Sequence, residues 1–224
     1  MPPSCMLTGC PRGVCLLAAV PSALLATLGC ALPPPHKVQY YQSRKIMASG
    51  MSQPSQTRVT TTTDDDAVTK TLMSTIESGL GSDVRVENIQ SFYWWDGAVQ
   101  SDKETRISFT PSVAFDAVLA SLSKVHNYDV PMIIESTEDT QSVHWRGDVE
   151  NGTAELASRL AGKRLVACAQ VATGEKTGSL LSVKTVANAR HIVEQQLDNL
   201  HVTWTPFTGN KAYLDWVVDE TRLL

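Results

Sequence analysis

The feature that most constrains this chain is the dipeptide Asp96-Gly97, set between two long runs in which apolar and polar residues alternate: "DVRVENIQSFYWW" before it and "AVQSDKETRISF" after it. Asp-Gly accepts the positive φ that a two-residue hairpin turn demands, and period-two alternation marks a strand with one buried face. A long antiparallel hairpin is expected, with Tyr93, Trp94 and Trp95 crowded at its tip. In a chain that is only 6% aromatic, three adjacent aromatics raise the question of what covers them.

The hairpin sits inside a repeated pattern. "TRVTTTT" is short and β-branched, and "DDD" after it suits a helix start, where carboxylates cap free N–H groups and favour the positive end of the dipole. Val68, Leu72, Ile76 and Leu80 then fall on one helical face. After the hairpin, Phe115, Val118, Leu119 and Leu122 mark a second helix, and "DVPMII" a closing strand. A second pass follows: strand "QSVHWRG", helix "TAELASRLAGKRL", strands "VACAQVA" and "GSLLSVKTV", helix "ANARHIVEQQLDNL", strand "HVTWTPF" and a tail helix "KAYLDWVVDETRLL". Two βαββαβ units of roughly 80 residues predict an α+β chain of tandem ferredoxin-like units with antiparallel sheets. The expected boundaries are a leader and linker over 1–56, a first unit over 57–135 and a second over 136–224.

Charge narrows the function. The first acidic residue is Asp64, so beyond Arg12, Lys37, Arg44, Lys45 and Arg58 the remaining 19 − 5 = 14 basic residues face 23 acidic ones, a balance of −9. A body that acidic is a poor nucleic-acid binder, which needs clustered cations to displace counterions. The acid-free front carries an apolar run, Val14 to Leu32, interrupted by Pro21. It fits a mitochondrial presequence, with a secretory signal or a cytosolic form started at Met47 or Met51 as alternatives; a membrane anchor needs about 20 uninterrupted apolar residues. No membrane association is expected of the mature body. Cys5, Cys10, Cys15 and Cys30 lie in the leader, which leaves Cys168 alone in the body and no internal disulfide there.

The residues resemble a family. Ser91, Tyr93, Trp95, Gly97, Asp102 and Glu104 fill the hairpin pattern of the CutA divalent-cation tolerance proteins. "VHNYDVPMII" is similar to that family's His-Pro-Tyr-x-x-Pro-Glu segment at His126, Tyr128 and Pro131. "RLVACAQV" resembles its Leu-Ala-Ala-Cys-Val stretch at Cys168, and "GNKAYLDWV" its closing motif at Gly209, Asn210, Tyr213, Leu214 and Trp216. Each copy lacks what the other keeps: the first has Asp83 in place of the cysteine and no Gly-Asn tail, the second no Tyr-Trp hairpin and no His-Pro-Tyr segment. Such complementary loss suggests a duplication whose halves need each other.

The resemblance implies a homotrimer in which hairpins and edge strands of neighbouring chains pair, with Tyr93, Trp94, Trp95, Tyr128 and Trp216 at the contact. A bare β edge carrying aromatics invites pairing on physical grounds too, although the aromatics could instead pack on their own sheet. The resemblance also implies metal ion tolerance, copper above all. The proposed copper ligands of the family are a first-strand cysteine, the histidine and a glutamate; here "TRVTTTT" has no cysteine and Met132 replaces the glutamate. His126, Met132 and Cys168 are therefore the candidate ligands, imidazole and thioether suiting reduced copper. Against that, a histidine ending a helix also serves as a cap, and a lone cysteine as a small core residue. His144 and His201 have no carboxylate or cysteine at metal spacing. There is no nucleophile elbow, phosphate-cradling glycine loop, HExxH or CxxC, so neither catalysis nor an organic cofactor is expected. A scaffold with decayed metal binding is the competing reading.

Overall fold

A computed structural model of the chain describes residues 57–172, 179–197 and 199–221. The leader over 1–56, with its targeting reading and four of the cysteines, lies outside the described residues, as does the end of the expected tail helix at 222–224. The element order is β1 (Val59–Thr63), α1 (Asp66–Thr75), β2 (Gly81–Trp95), β3 (Ala98–Pro111), α2 (Phe115–Leu122), β4 (Ile133–Ser136), β5 (His144–Val149), α3 (Ala154–Gly162), β6 (Cys168–Ala172), β7 (Leu181–Val186), α4 (Arg190–Gln195), β8 (Val202–Gly209) and α5 (Lys211–Glu220). Among the described residues no helix is long and apolar enough to cross a membrane.

Local chemistry places most of these elements. Asp65 caps α1, its carboxylate accepting from the N–H groups of Ala67 at 2.7 Å and Val68 at 3.0 Å, which explains the aspartate run. Thr153 caps α3 through Leu156. At the β2–β3 turn Asp96 (φ 48°) and Gly97 (φ 79°) both adopt positive φ, and Trp95 pairs with Ala98 to close the hairpin. Pro131 offers no N–H to a ladder, and β4 begins only at Ile133.

The expectation of separate antiparallel sheets is corrected. One sheet holds all eight strands in the order β1-β3-β2-β6-β7-β5-β8-β4 and closes on itself as a barrel. Strands β1 to β4 lie in the order β4-β1-β3-β2 and strands β5 to β8 in the order β8-β5-β7-β6, the same relative order twice. The two repeats join at two seams: β2 with β6, from Ile89 opposite Ala172 to Tyr93 opposite Cys168, and β4 with β8, from Ile134 opposite Gly209 to Ser136 opposite Phe207. The physical reason is that each repeat alone leaves two edge strands with unpaired backbone groups, and mutual pairing satisfies all four. Gly209 permits one seam: a Cβ there would lie 2.8 Å from the Ile133 carbonyl oxygen.

The apolar core lies outside the barrel, under the helices. Val59, Ile107, Phe109 and Ile133 pack with Leu72, Ile76, Val118 and Leu122 beneath α1 and α2. Ala169, Val171, Leu181 and Val183 do the same with Leu156, Leu160, Val193 and Leu197 beneath α3 and α4. Each fully buried leucine or isoleucine contributes about 1.5–3 kcal/mol by leaving water. α5 packs on a third cluster of Met132, Ala167, Val186 and Phe207, at one end of the barrel. Strand alternation then turns the other faces inward, and those faces are polar: Thr60, Thr62, Ser91, Gln170, Ser182 and Lys184, all buried.

Candidate functional site

An eight-stranded barrel leaves room inside for side chains or one small ligand. At the end covered by α5 the interior opens into a cavity of about 100 Å³. Its walls are Tyr93 and Trp95 from β2, Val130 and Met132 before β4, Cys168 from β6, and Tyr213 and Trp216 from α5; Thr62, Ser91, Glu104, Tyr128 and Gln170 supply its polar surface.

Glu104 is the centre of that polar surface. The Ser91 hydroxyl donates to its Oε2, and the Tyr128 hydroxyl donates to its Oε1 at 3.0 Å. Burial pushes its pKa above the usual carboxylate range, opposed by hydrogen bonds from Ser91, Tyr128 and Thr62, while the nearby Asp102 charge pushes the same way as burial. Behind Ser91 runs a line of donors: Gln170 Nε2 donates to Ser91 Oγ at 3.3 Å, and Lys184 Nζ donates to Gln170 Oε1. Four strands, β7, β6, β2 and β3, are thus threaded by one hydrogen-bonded chain that ends on a buried carboxylate. Buried polar groups persist only when satisfied, and here each neutral link both donates and accepts. The exception is Tyr213, whose hydroxyl is buried without a partner among the described residues; burial, with the charges of Cys168 and Glu104, holds its pKa well above the phenol range.

The candidate ligands separate. Met132 and Cys168 both line the cavity, 4% and 7% exposed, which puts a thioether and a thiol on one surface. His126 does not line it. Its Nδ1 accepts the Tyr128 backbone N–H at 3.1 Å, so the proton sits on Nε2, which donates to Thr61 Oγ1 at 3.2 Å. Burial drops its pKa to about 4, so the ring is neutral and both nitrogens are engaged. Among the described residues no three of His, Cys, Asp and Glu are grouped to hold a metal ion.

The candidate interface aromatics also divide. Tyr93, Trp95, Tyr128 and Trp216 line the cavity of their own chain, Tyr93 donating its hydroxyl to Asp102 and Trp216 stacking 5.6 Å from Tyr213. Trp94, on the opposite face of β2, is half-buried on the outside. The sequence pattern marked Ser91 and Glu104 as motif positions but not as a site. Gln170 and Lys184 left no signal, since a polar residue in an alternating strand reads as solvent-facing until the barrel closes.

Residues 57–146 match the family model described as CutA1 divalent ion tolerance protein. The divalent-cation tolerance protein CutA of Pyrococcus horikoshii is 28% identical over 81 residues, covering 36% of this chain and 79% of that protein. The crystal structure of CutA1 from Oryza sativa is 33% identical, covering 35% of this chain and 75% of that one, at a TM-score of 0.32. Residues 57–146 are thus a CutA1-type segment. The CutA1 match accounts for β1 to β4 and the start of β5; the remaining wall of the cavity, Cys168, Tyr213 and Trp216, comes from beyond it. Residues inside the matched segment and residues beyond it therefore meet around one cavity.

Proposed function

We propose that this chain serves metal ion tolerance as a non-catalytic binding protein, and that its ligand is copper in the reduced state, taken into the cavity between the two repeats. The observation that carries the proposal is that Met132 and Cys168, one from each repeat, line the same cavity. Thioether and thiolate are the soft donors that select copper(I) over harder divalent ions. The unpartnered Tyr213 hydroxyl beside them and the aromatic wall supply a site that a bound ion with its ligands would complete and shield. His126 acts by holding the Tyr128 loop, since its two nitrogens are engaged there. In this reading 57–135 and 136–224 are two halves of one binding body. Assembly into a homotrimer, which the CutA resemblance implies, then falls to outer surfaces such as that of Trp94.

The test is an anaerobic titration of the full chain with copper(I) against a chromophoric chelator, with copper(II) and zinc in parallel and native mass spectra at each step. One copper(I) per chain is expected, weakened at least tenfold by Cys168→Ser and by Met132→Leu and little changed by His126→Ala, with the mass of the assembly unaltered in all three. Failure to compete with the chelator, or wild-type affinity in both sulfur variants, overturns the proposal.

A further inference from the structure

The second cavity of the barrel has the opposite chemistry. It measures about 210 Å³, far more than the roughly 10–15 Å³ that one water needs, and it is lined by Arg58, Arg85, Arg106, Arg146 and Lys184. Its lining residues come from the other ends of the strands that build the aromatic cavity: Thr60 rather than Thr62, Arg106 rather than Glu104, Glu87 rather than Ser91.

The carboxylates present do not balance these cations. Glu87 and Asp148 line the cavity, and Asp83 is shared by Arg58 at 2.6 Å and Arg85 at 3.0 Å. Arg106 spends Nε and Nη2 on Glu87 (3.0 and 2.7 Å), and Arg146 spends the same pair on Asp148 (3.0 and 2.7 Å). Each of these two guanidiniums keeps its Nη1 amino group out of the ion pair. Lys184, 1% exposed, makes no ion pair with a carboxylate among the described residues; its Nζ bonds to Gln170 and, at 3.5 Å, to Ser182 Oγ. Five cations face three carboxylates, an excess of two, inside a body over 57–224 whose own balance is 15 − 23 = −8. A buried ammonium without a counter-charge is costly, and a structure that keeps one beside two arginines retains an unmet demand for negative charge.

We propose that this cavity is a binding site for a small dianionic oxyanion of the phosphate type, held by the Nη1 groups of Arg106 and Arg146 and by the Lys184 ammonium. Guanidinium and ammonium donors around a tetrahedral oxyanion make charge-assisted hydrogen bonds, the strong kind. A charge of −2 matches the local excess. The site is separate from the sulfur-lined cavity and stands whether or not that cavity takes copper.

Burial lowers the pKa of Lys184 to about 7, with the charges of Arg106 and Arg146 acting in the same direction and Cys168 and Asp148 opposing it. The groups that face it are Cys168 and Gln170 from β6, Arg146 and Asp148 from β5, and Arg106 from β3.

The experiment is calorimetric titration of the full chain at low ionic strength with sulfate, whose charge does not change between pH 6 and 8, and then with inorganic phosphate and a small phosphomonoester at fixed pH. Sulfate is expected to bind at one site per chain. Arg146→Gln and Lys184→Met each lower the affinity at least tenfold, whereas Lys124→Gln, an exposed control, leaves it unchanged. Tighter binding of the phosphomonoester identifies a phosphorylated metabolite as the ligand class; equal binding identifies the free ion. No heat with any of the three anions, or unchanged affinity in Arg146→Gln, overturns the proposal. Should Lys184→Met not fold, Arg146→Gln decides it.

Discussion

The two ends of the barrel are built by the same strands and differ in what burial does to charge. At the aromatic end one carboxylate, Glu104, is surrounded by neutral donors and tyrosines, and burial raises its pKa. At the other end one ammonium, Lys184, sits among arginines, and burial lowers its pKa to about 7. Gln170 and Ser91 bridge the two, so that an acid and a base which are not an ion pair share one hydrogen-bonded line. The lesson is that closing a barrel over polar strand faces creates paired but opposite electrostatic problems, each solved by a cavity that can admit a ligand of the complementary kind.

The comparison breaks most visibly through pH. A lysine whose folded pKa is near 7 against an unfolded value near 10.4 binds fewer protons in the native state between those limits, so stability rises with pH across that window. Denaturant midpoints measured from pH 7 to pH 10 should show a gain on the order of 4 kcal/mol from this group alone, absent in Lys184→Met. Glu104 has the opposite sign: its folded pKa is raised, so its contribution is lost as pH rises from the ordinary glutamate range through the folded pKa, and Glu104→Gln should flatten that loss. A wild-type profile that falls steadily from pH 7 to pH 10 would refute the Lys184 assignment.

A smaller effect tests the bridge. Ser91→Ala removes a donor to Glu104 and an acceptor for Gln170, both buried, and should cost about 1–3 kcal/mol in urea unfolding. It should also shift the Glu104 titration further upward, because the ionised carboxylate loses a hydrogen bond. The smallest expected change is Tyr93→Phe, which deletes only the hydroxyl donated to half-buried Asp102 and should cost about 1 kcal/mol, leaving the cavity wall intact. If Tyr93→Phe proves costlier than Ser91→Ala, the hydrogen-bonded line is not the organising feature of that end.

Much of the fold was legible from particular residues. Asp96-Gly97 specified the hairpin, Asp65 the start of α1, and the four-residue spacing of Leu72 and Ile76 the face that α1 buries. Less of the site was legible. Met132 and Cys168 share a cavity, yet they lie 36 positions apart on elements whose adjacency depends on the β2–β6 seam and on α5. Tyr93 and Trp95 invited an intermolecular reading because they crowd a hairpin tip; within the chain both also line the cavity that Cys168 of β6 and Tyr213 of α5 share.

What the sequence by itself determined is everything governed by neighbours a few residues apart: turn type, caps, strand alternation and helix faces, because φ preference, capping and periodicity act over that range. What only the tertiary structure decided is which face of each strand is inside. Alternation says that Thr60 and Thr62, Ser91 and Tyr93, Cys168 and Gln170, and Ser182 and Lys184 each share one face of their strand, but it cannot say whether that face meets water or a closed interior. That choice rests on pairing β2 with β6 and β4 with β8, contacts made between repeats distant in the chain, and it turns ordinary polar residues such as Thr60, Ser91, Gln170 and Lys184 into the buried lining of two chemically opposite cavities.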